Sequence, residues 1–188
     1  MRVIAGQYRS RRLLSLPGLD LRPTADKLRE TLFNVLTAGN PDVLAGTIWL
    51  DLYAGTGAVG IEALSRGAAM VHFVEASAKA ADLIRKNLKE LGVTSGAQVL
   101  GQDVGRALKT LEALGILADY VFLDPPYRLE VEYSKTLELL AASALVETKS
   151  IVLVEHDKRF DPGDTFGSLQ RYRKLMQGDA ALSFYRRD

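Results

Sequence analysis

The chain has 188 residues, of which 47% are hydrophobic and 25% charged, with a formal net charge of +1. That suits one globular domain with a proper core and excludes a disordered polypeptide. Cysteine is absent and histidine is limited to His72 and His156, which rules out a thiolate nucleophile and a thiolate zinc site, and no metal is expected.

In chain order, residues 1–22 form a basic arm. Arg2, Arg9, Arg11, Arg12 and Arg22 stand against Asp20 alone, a balance that suits a polyanionic partner and, equally, an ordinary solvated surface. Val3-Ile4 and Leu13-Leu14 flank Gly6-Gln-Tyr-Arg-Ser-Arg, consistent with a small hairpin. Tyr8 can stack on an unpaired base while Arg9, Arg11, Arg12 and Arg22 hold phosphates. Thr24 can cap a helix over 25–37, with Leu28, Leu32, Val35 and Leu36 on one face and Arg29 and Asn34 left for a more polar side.

From residue 48 onward strands and helices alternate. Apolar runs predict strands over 48–53, 70–75, 97–101, 120–123 and 151–154. Between them, helical spacing predicts 58–66, 78–91, 104–114 and 133–142. His72 sits inside an apolar strand and reads as a core residue. Two further strands, 169–176 and 181–187, surround Gln177-Gly-Asp179. The reading is an α/β, Rossmann-like, doubly wound and mainly parallel sheet closed by an antiparallel C-terminal hairpin. One domain over 23–188 then follows an arm over 1–22. With no apolar run near the roughly 18 residues that span a bilayer and no signal peptide, a cytoplasmic protein without membrane contact is expected.

Two motifs carry chemistry. The first is Asp51-Leu-Tyr53-Ala-Gly55-Thr-Gly57-Ala-Val-Gly60, between the first strand and its helix. Glycines there permit a tight turn and close approach of a ligand, and the helix end offers free N–H groups. Glu75 ends the next strand, where an acid accepts hydrogen bonds from two ribose hydroxyls. NAD enzymes share that geometry. The stretch with Asp51 before the loop resembles the first motif of class I S-adenosylmethionine (SAM) methyltransferases, and that resemblance selects the cofactor. It also implies that Asp103, ending the third strand, holds the adenine amino group, although a plain helix cap is the competing role.

The second motif is Asp124-Pro125-Pro126-Tyr127 at the end of the fourth parallel strand. Consecutive prolines fix an extended backbone and remove two donors. What remains is an acceptor surface, the Asp124 carboxylate and nearby carbonyls, suited to an exocyclic amine, with Tyr127 as a stacking ring. Asp-Pro-Pro-Tyr resembles the fourth motif of amino-methyltransferases. An aryl amine is a poor nucleophile until it becomes more tetrahedral. Hydrogen bonds to Asp124 and the Pro125 carbonyl favour that geometry, and Asp124 can take the proton late. The base must leave any stack, which suits unpaired RNA.

Met1-Arg-Val-Ile-Ala-Gly6, Leu21-Arg-Pro-Thr-Ala-Asp-Lys-Leu-Arg-Glu-Thr-Leu-Phe-Asn34, Ile61-Glu-Ala-Leu-Ser-Arg-Gly67 and Phe122-Leu-Asp-Pro-Pro-Tyr127 resemble the RsmD family across essentially the whole chain. The resemblance implies methylation of a guanine at N2 in bacterial 16S rRNA, on free RNA or on the assembled small subunit. It also implies Asp51, Tyr53, Gly55, Gly57, Glu75 and Asp103 at the SAM site and 124–127 as the catalytic loop; separately, a monomer is expected. Tyr53 departs from the commoner phenylalanine. A DNA or RNA adenine-N6 methyltransferase shares both motifs, and nothing in the motif separates guanine N2 from adenine N6. A nicotinamide oxidoreductase leaves Asp-Pro-Pro-Tyr unexplained, and a silent RNA-binding factor leaves Asp124 and the glycine loop unexplained.

Overall fold

A computed structural model describes residues 1–15, 23–126 and 128–188, with the side chains of 23–25 excepted. Arg22 and Tyr127, both singled out by the sequence, lie outside the described residues, as does the side chain of Thr24; α1 starts at Pro23, so Thr24 stands inside the helix instead of capping one that begins at Ala25.

The order is α1 (Pro23–Leu36), β1 (Ile48–Leu52), α2 (Ala58–Ser65), β2 (Met70–Val74), α3 (Ala78–Glu90), β3 (Ala97–Leu100) and α4 (Val104–Ala113). There follow β4 (Ala118–Leu123), α5 (Glu130–Ala142), β5 (Val146–Asp157), β6 (Thr165–Phe166), β7 (Leu169–Gln177) and β8 (Ala180–Arg187). Among the described residues eight strands make one sheet in the order β3-β2-β1-β4-β5-β8-β7-β6. The first five are parallel, and β8 runs antiparallel to both β5 and β7. The chain therefore winds outward from β1 on one side and from β4 on the other. Ligands in such sheets bind beyond the carboxyl ends of the strands at that switch.

Strand alternation divides the core between two faces. Trp49, Val71, Phe73, Tyr120, Phe122 and Leu153 pack with α1, α2 and α3, whereas Leu50, Leu52, Val74, Val121, Leu123 and Val154 pack with α4 and α5. On the first face the fully buried Trp49 ring stacks between Phe33 at 5.5 Å and Tyr120 at 4.6 Å. Such pairs add about 0.5–1.5 kcal/mol beyond area burial.

Several elements run past their expected bounds; α1 begins at Pro23 and β4 at Ala118, each two residues early. β5 begins at Val146, five residues before the expected 151. Val146 pairs with Ala118, and a register shift follows before Tyr120 meets Ile151. The intervening Glu147, Thr148 and Lys149 are polar and mostly exposed, which hides the strand in the sequence. α5 starts at Glu130 on a charged, exposed turn, and β6 has only two residues. His72 is buried as expected, its Nδ1 paired with Gln98 at 2.7 Å.

The described part of the arm, residues 1–15, is a hairpin bound to the sheet's helices. Arg2 and Arg12 bridge antiparallel, the Val3 N–H donates to the Arg11 carbonyl at 3.0 Å, and the Leu13 N–H donates to the Met1 carbonyl at 3.2 Å. Val3 and Leu13 are buried in the same core as α1, α2 and α3. The anchor is Glu62 of α2, which is fully buried. Its carboxylate accepts from the N–H groups of Ile4 at 2.7 Å and Ala5 at 3.0 Å, and pairs with Arg66 at 2.8 Å. Gly6, at φ +80°, passes so close to α2 that an added Cβ would sit 1.8 Å from the Ser65 carbonyl oxygen. Only glycine fits there.

Arg29 corrects the expected polar side of α1. It is 5% exposed, pairs with Asp26 at 3.1 Å and faces Glu62 at 4.0 Å, and it donates to the Arg2 carbonyl at 2.6 Å. A buried guanidinium needs such partners. The arm supplies one of them, and the amphipathic pattern of the helix alone could not reveal it. Asn34 is exposed, as expected.

Candidate active site

β1 delivers the chain into the glycine loop through Tyr53, a non-glycine residue at φ +59°. A side chain in that left-handed region costs about 1–2 kcal/mol, and the Tyr53 hydroxyl helps to hold it. That hydroxyl donates to Glu132 Oε2 at 3.0 Å and lies 2.9 Å from Thr136 Oγ1, both on α5. A phenylalanine would lose both bonds.

The three glycines have different tasks. Gly57 caps α2 at φ +76°, and at Gly60 an added Cβ would come within 2.4 Å of the Phe73 ring. Both let α2 settle on β2. At Gly55, by contrast, the nearest atom to an added Cβ would be the Tyr53 carbonyl oxygen at 3.9 Å. That face of the loop is open, leaving room for a ligand against the backbone.

Two carboxylates hold the loop from below and beside. Asp51 is 2% exposed and accepts the Gly60 N–H at 2.9 Å. Burial, opposed by that hydrogen bond and assisted by Glu75, pushes its carboxyl up to about 7. Asp51 thus supports the loop from the core side. Glu75, half-buried at the end of β2, accepts the Gly55 N–H on Oε2 at 2.9 Å and the Ser77 N–H on Oε1 at 2.8 Å. Each oxygen retains a second lone-pair site. Asp103 at the end of β3 caps α4, accepting the Arg106 N–H at 3.0 Å, and its side chain is 58% exposed. Its other oxygen, Oδ2, pairs with Arg106 Nε at 3.3 Å, so Asp103 fills the cap role while its exposed edge is shared with a guanidinium.

Asp124 and Pro125 follow β4, the neighbour of β1. Asp124 is half-buried, Pro125 buried and Pro126 exposed. The Tyr133 hydroxyl on α5 donates to the Pro125 carbonyl at 3.2 Å, fixing the loop while leaving that oxygen a second lone pair. Burial, then the charges of Glu155 and Asp51, push the Asp124 carboxyl well above the usual carboxylate range. Perturbed acids of this kind gather where proton transfer is needed. The topology therefore brings Asp51, Tyr53, Gly55, Gly57, Glu75, Asp103, Asp124, Pro125 and Pro126 to one end of the sheet.

The arm residues lie elsewhere. The Gln7 and Tyr8 N–H groups bind the Ser65 carbonyl and hydroxyl, and an Arg11 Nη donates to the Glu90 carbonyl. Those are the ends of α2 and α3 remote from the glycine loop, about 12 Å along α2. Arg9, Arg11 and Arg12 are exposed, while the Tyr8 ring packs against the core. The other end of the arm meets the loop: Thr56 Oγ1 lies 3.4 Å from Met1 Sδ, and Asn87 on α3 donates to the carbonyls of Leu14 and Thr56. Sequence reasoning missed Glu62 and Asn87 as anchors. Their one signal was a polar residue inside an otherwise apolar helical stripe.

Residues 1–186 match the family model described as conserved hypothetical protein 95. The chain is 32% identical to ribosomal RNA small subunit methyltransferase D of Escherichia coli K12 over 188 residues, all of this chain and 90% of that one. The chain belongs to the RsmD family. Among relatives of this family, Bacillus subtilis strain 168 YlbH, an rRNA methyltransferase by its name, is 36% identical over all of this chain and 99% of its own. A solved Escherichia coli structure bearing the methyltransferase name yhhF superposes with a TM-score of 0.79 at 32% identity, covering 100% of this chain and 98% of that one. No helix among the described residues is long and apolar enough to cross a membrane.

Proposed function

We propose that this chain transfers a methyl group from SAM to the exocyclic N2 of a guanine in 16S rRNA, acting in the cytoplasm as a monomer on free or assembled small-subunit RNA. The observation that carries the reading is the juxtaposition of two loops at the β1–β4 switch. One is a glycine loop with an open face beside Glu75. The other is an acceptor surface made by Asp124 and the Pro125 carbonyl. The small-subunit rRNA target accords with the name borne by the E. coli relative.

The residues fit the cofactor. The space over Gly55 admits a ligand against the backbone, the unused lone pairs of Glu75 suit a ribose diol, and Asp103, exposed but paired with Arg106, would accept an amino group on the lone pairs that this pairing leaves. SAM supplies a methyl group made electrophilic by its sulfonium. The protein supplies geometry at the amine. Asp124 and the Pro125 carbonyl each accept one N–H, drawing the nitrogen lone pair out of the ring and aiming it. An amine that gains a methyl group must shed a proton, and a carboxyl held above its ordinary range is matched to receive it. Tyr133 keeps the Pro125 carbonyl in place during this change. Tyr127 supplies the stacking face in this reading.

The test is methyl transfer from labelled SAM to small-subunit rRNA, free and in assembled particles, followed by digestion and mass analysis of nucleosides. N2-methylguanosine is the expected product. N6-methyladenosine, or no transfer to either RNA, overturns the reading.

A further inference from the structure

Methyl transfer as proposed uses one carboxylate, yet a second stands beside it. In the parallel pairing of β4 with β5, Leu123 lies opposite Val154. The next residues are Glu155, still within β5, and Asp124, the first residue past β4; if the strand spacing continues one residue further, their backbones lie about 4.8 Å apart. Alternation sends both side chains the same way. Leu123 and Val154 pack toward α4 and α5, whereas Phe122 and Leu153 pack toward α1, α2 and α3. Asp124 and Glu155 follow the second pair. On the far side Glu155 is registered with Leu182 of β8, itself in the core of that same face. Both acids are half-buried, so both border the space beyond the strand ends. Their proximity is felt electrostatically, because Glu155 is the largest charge effect on Asp124.

We propose that Glu155 is the residue that selects guanine: its carboxylate accepts the hydrogen bond of the guanine N1–H while Asp124 and the Pro125 carbonyl accept those of the adjacent amino group. The proposal rests on the guanine-N2 reading and names what enforces it. Guanine alone among the amino-bearing bases places a ring N–H next to its exocyclic amine. Adenine and cytosine place a ring nitrogen lone pair there, which would face a carboxylate with no proton between them. A site built to bind a polar hydrogen rejects an analogue lacking it far more strongly than a pocket rejects a change of shape. The Asp-Pro-Pro-Tyr loop satisfies any aryl amine. The residue that tells the bases apart therefore has to lie outside the loop and beside it, as Glu155 does.

The test uses a synthetic fragment of 16S rRNA spanning the guanosine mapped by the nucleoside analysis, made with either guanosine or 2-aminopurine riboside at that position. 2-Aminopurine keeps the amine and replaces the N1–H with a lone pair. Single-turnover rates are measured for the parent protein and for Glu155→Gln, with SAM affinity and melting as controls for folding. The parent is expected to prefer guanosine by about 100-fold or more. Glu155→Gln, whose amide can donate to a ring nitrogen, is expected to shrink that preference by about 10-fold or more. A parent protein that methylates both RNAs alike, or a variant that keeps the full preference, overturns the role of Glu155 and leaves the guanine-N2 reading intact. A Glu155→Gln protein that binds SAM but is inactive on both RNAs also overturns selection. Failure of the parent to methylate the guanosine RNA at all overturns the guanine-N2 reading itself.

Discussion

Replacing Glu75 by alanine separates the architecture of the glycine loop from its ligand. In the folded chain its carboxylate holds the Gly55 N–H at 2.9 Å and the Ser77 N–H at 2.8 Å. A carboxylate offers about four lone-pair sites, so two remain for the hydroxyls of a ribose. Hydrogen bonds to a charged group contribute about 1.5–3 kcal/mol each. Loss of the two to ribose, softened by water that enters in their place, should cost roughly 2–4 kcal/mol, or about 30- to 1,000-fold in affinity. The two backbone amides lie at a half-open loop and can turn to water, so the melting temperature should fall by only a few degrees. Calorimetric titration of SAM into Glu75→Ala and parent protein reads the affinity, and thermal melting reads the fold. An affinity within about 3-fold of the parent, in a folded protein, would falsify the assignment of the β2 end to the cofactor.

Three further outcomes follow from named interactions. Glu62→Ala strips the acceptor from the Ile4 and Ala5 N–H groups and leaves Arg29 and Arg66 short of their buried counter-charge, so unfolding free energy should drop by about 3–5 kcal/mol, and a drop below about 1 kcal/mol in denaturant titration contradicts the anchor. Asp51, with its folded carboxyl pushed up to about 7, holds a proton that the unfolded chain releases near pH 4; its stabilisation is full below that pH and fades as pH rises toward 7. Asp51→Asn should therefore gain stability relative to the parent between about pH 4.5 and 7.5, and a relative decrease over that range contradicts the sign. Neutralising the exposed Arg9, Arg11 and Arg12 together should flatten the logarithmic salt dependence of RNA binding by roughly 0.7–0.9 for each phosphate that is no longer neutralised, leaving SAM affinity unchanged; an unaltered slope removes the arm from the RNA interface.

Much of the alternating body was legible because its signals are local. Runs such as Ile48–Leu52 and Met70–Val74 are buried on both faces and carry no polar interruption apart from Asp51 and His72, and both exceptions have partners that the sequence could not show. The two chemical loops were legible for the same reason, since glycine and proline act on their own backbone. What stayed hidden depends on distant residues. Nothing in α1 announces that Arg29 is buried, because the Arg2 carbonyl and Glu62 that satisfy it come from other elements. The early start of β5 lies behind a register shift and three polar residues. Tyr53 reads as the last residue of the first strand and part of the SAM motif, and only the packing of α5 shows that its hydroxyl ties the glycine loop to the helix after the Asp-Pro-Pro loop. Glu155 lies one residue past the strand expected over 151–154 and carries no local signal of its own; the β4–β5 register brings it next to the end of β4.

The central claim is that Asp124 acts on the amine during methyl transfer. It is tested most directly by single-turnover transfer to 16S rRNA at saturating SAM, comparing the parent with Asp124→Ala and Asp124→Asn in proteins of equal melting temperature. An interaction made mainly in the transition state is expected to cost Asp124→Ala about 100-fold or more in rate, with RNA and SAM affinities kept within a few-fold. Asp124→Asn, which keeps an acceptor oxygen but takes no proton, should fall between the two. Transfer by folded Asp124→Ala at close to the parent rate would contradict the account.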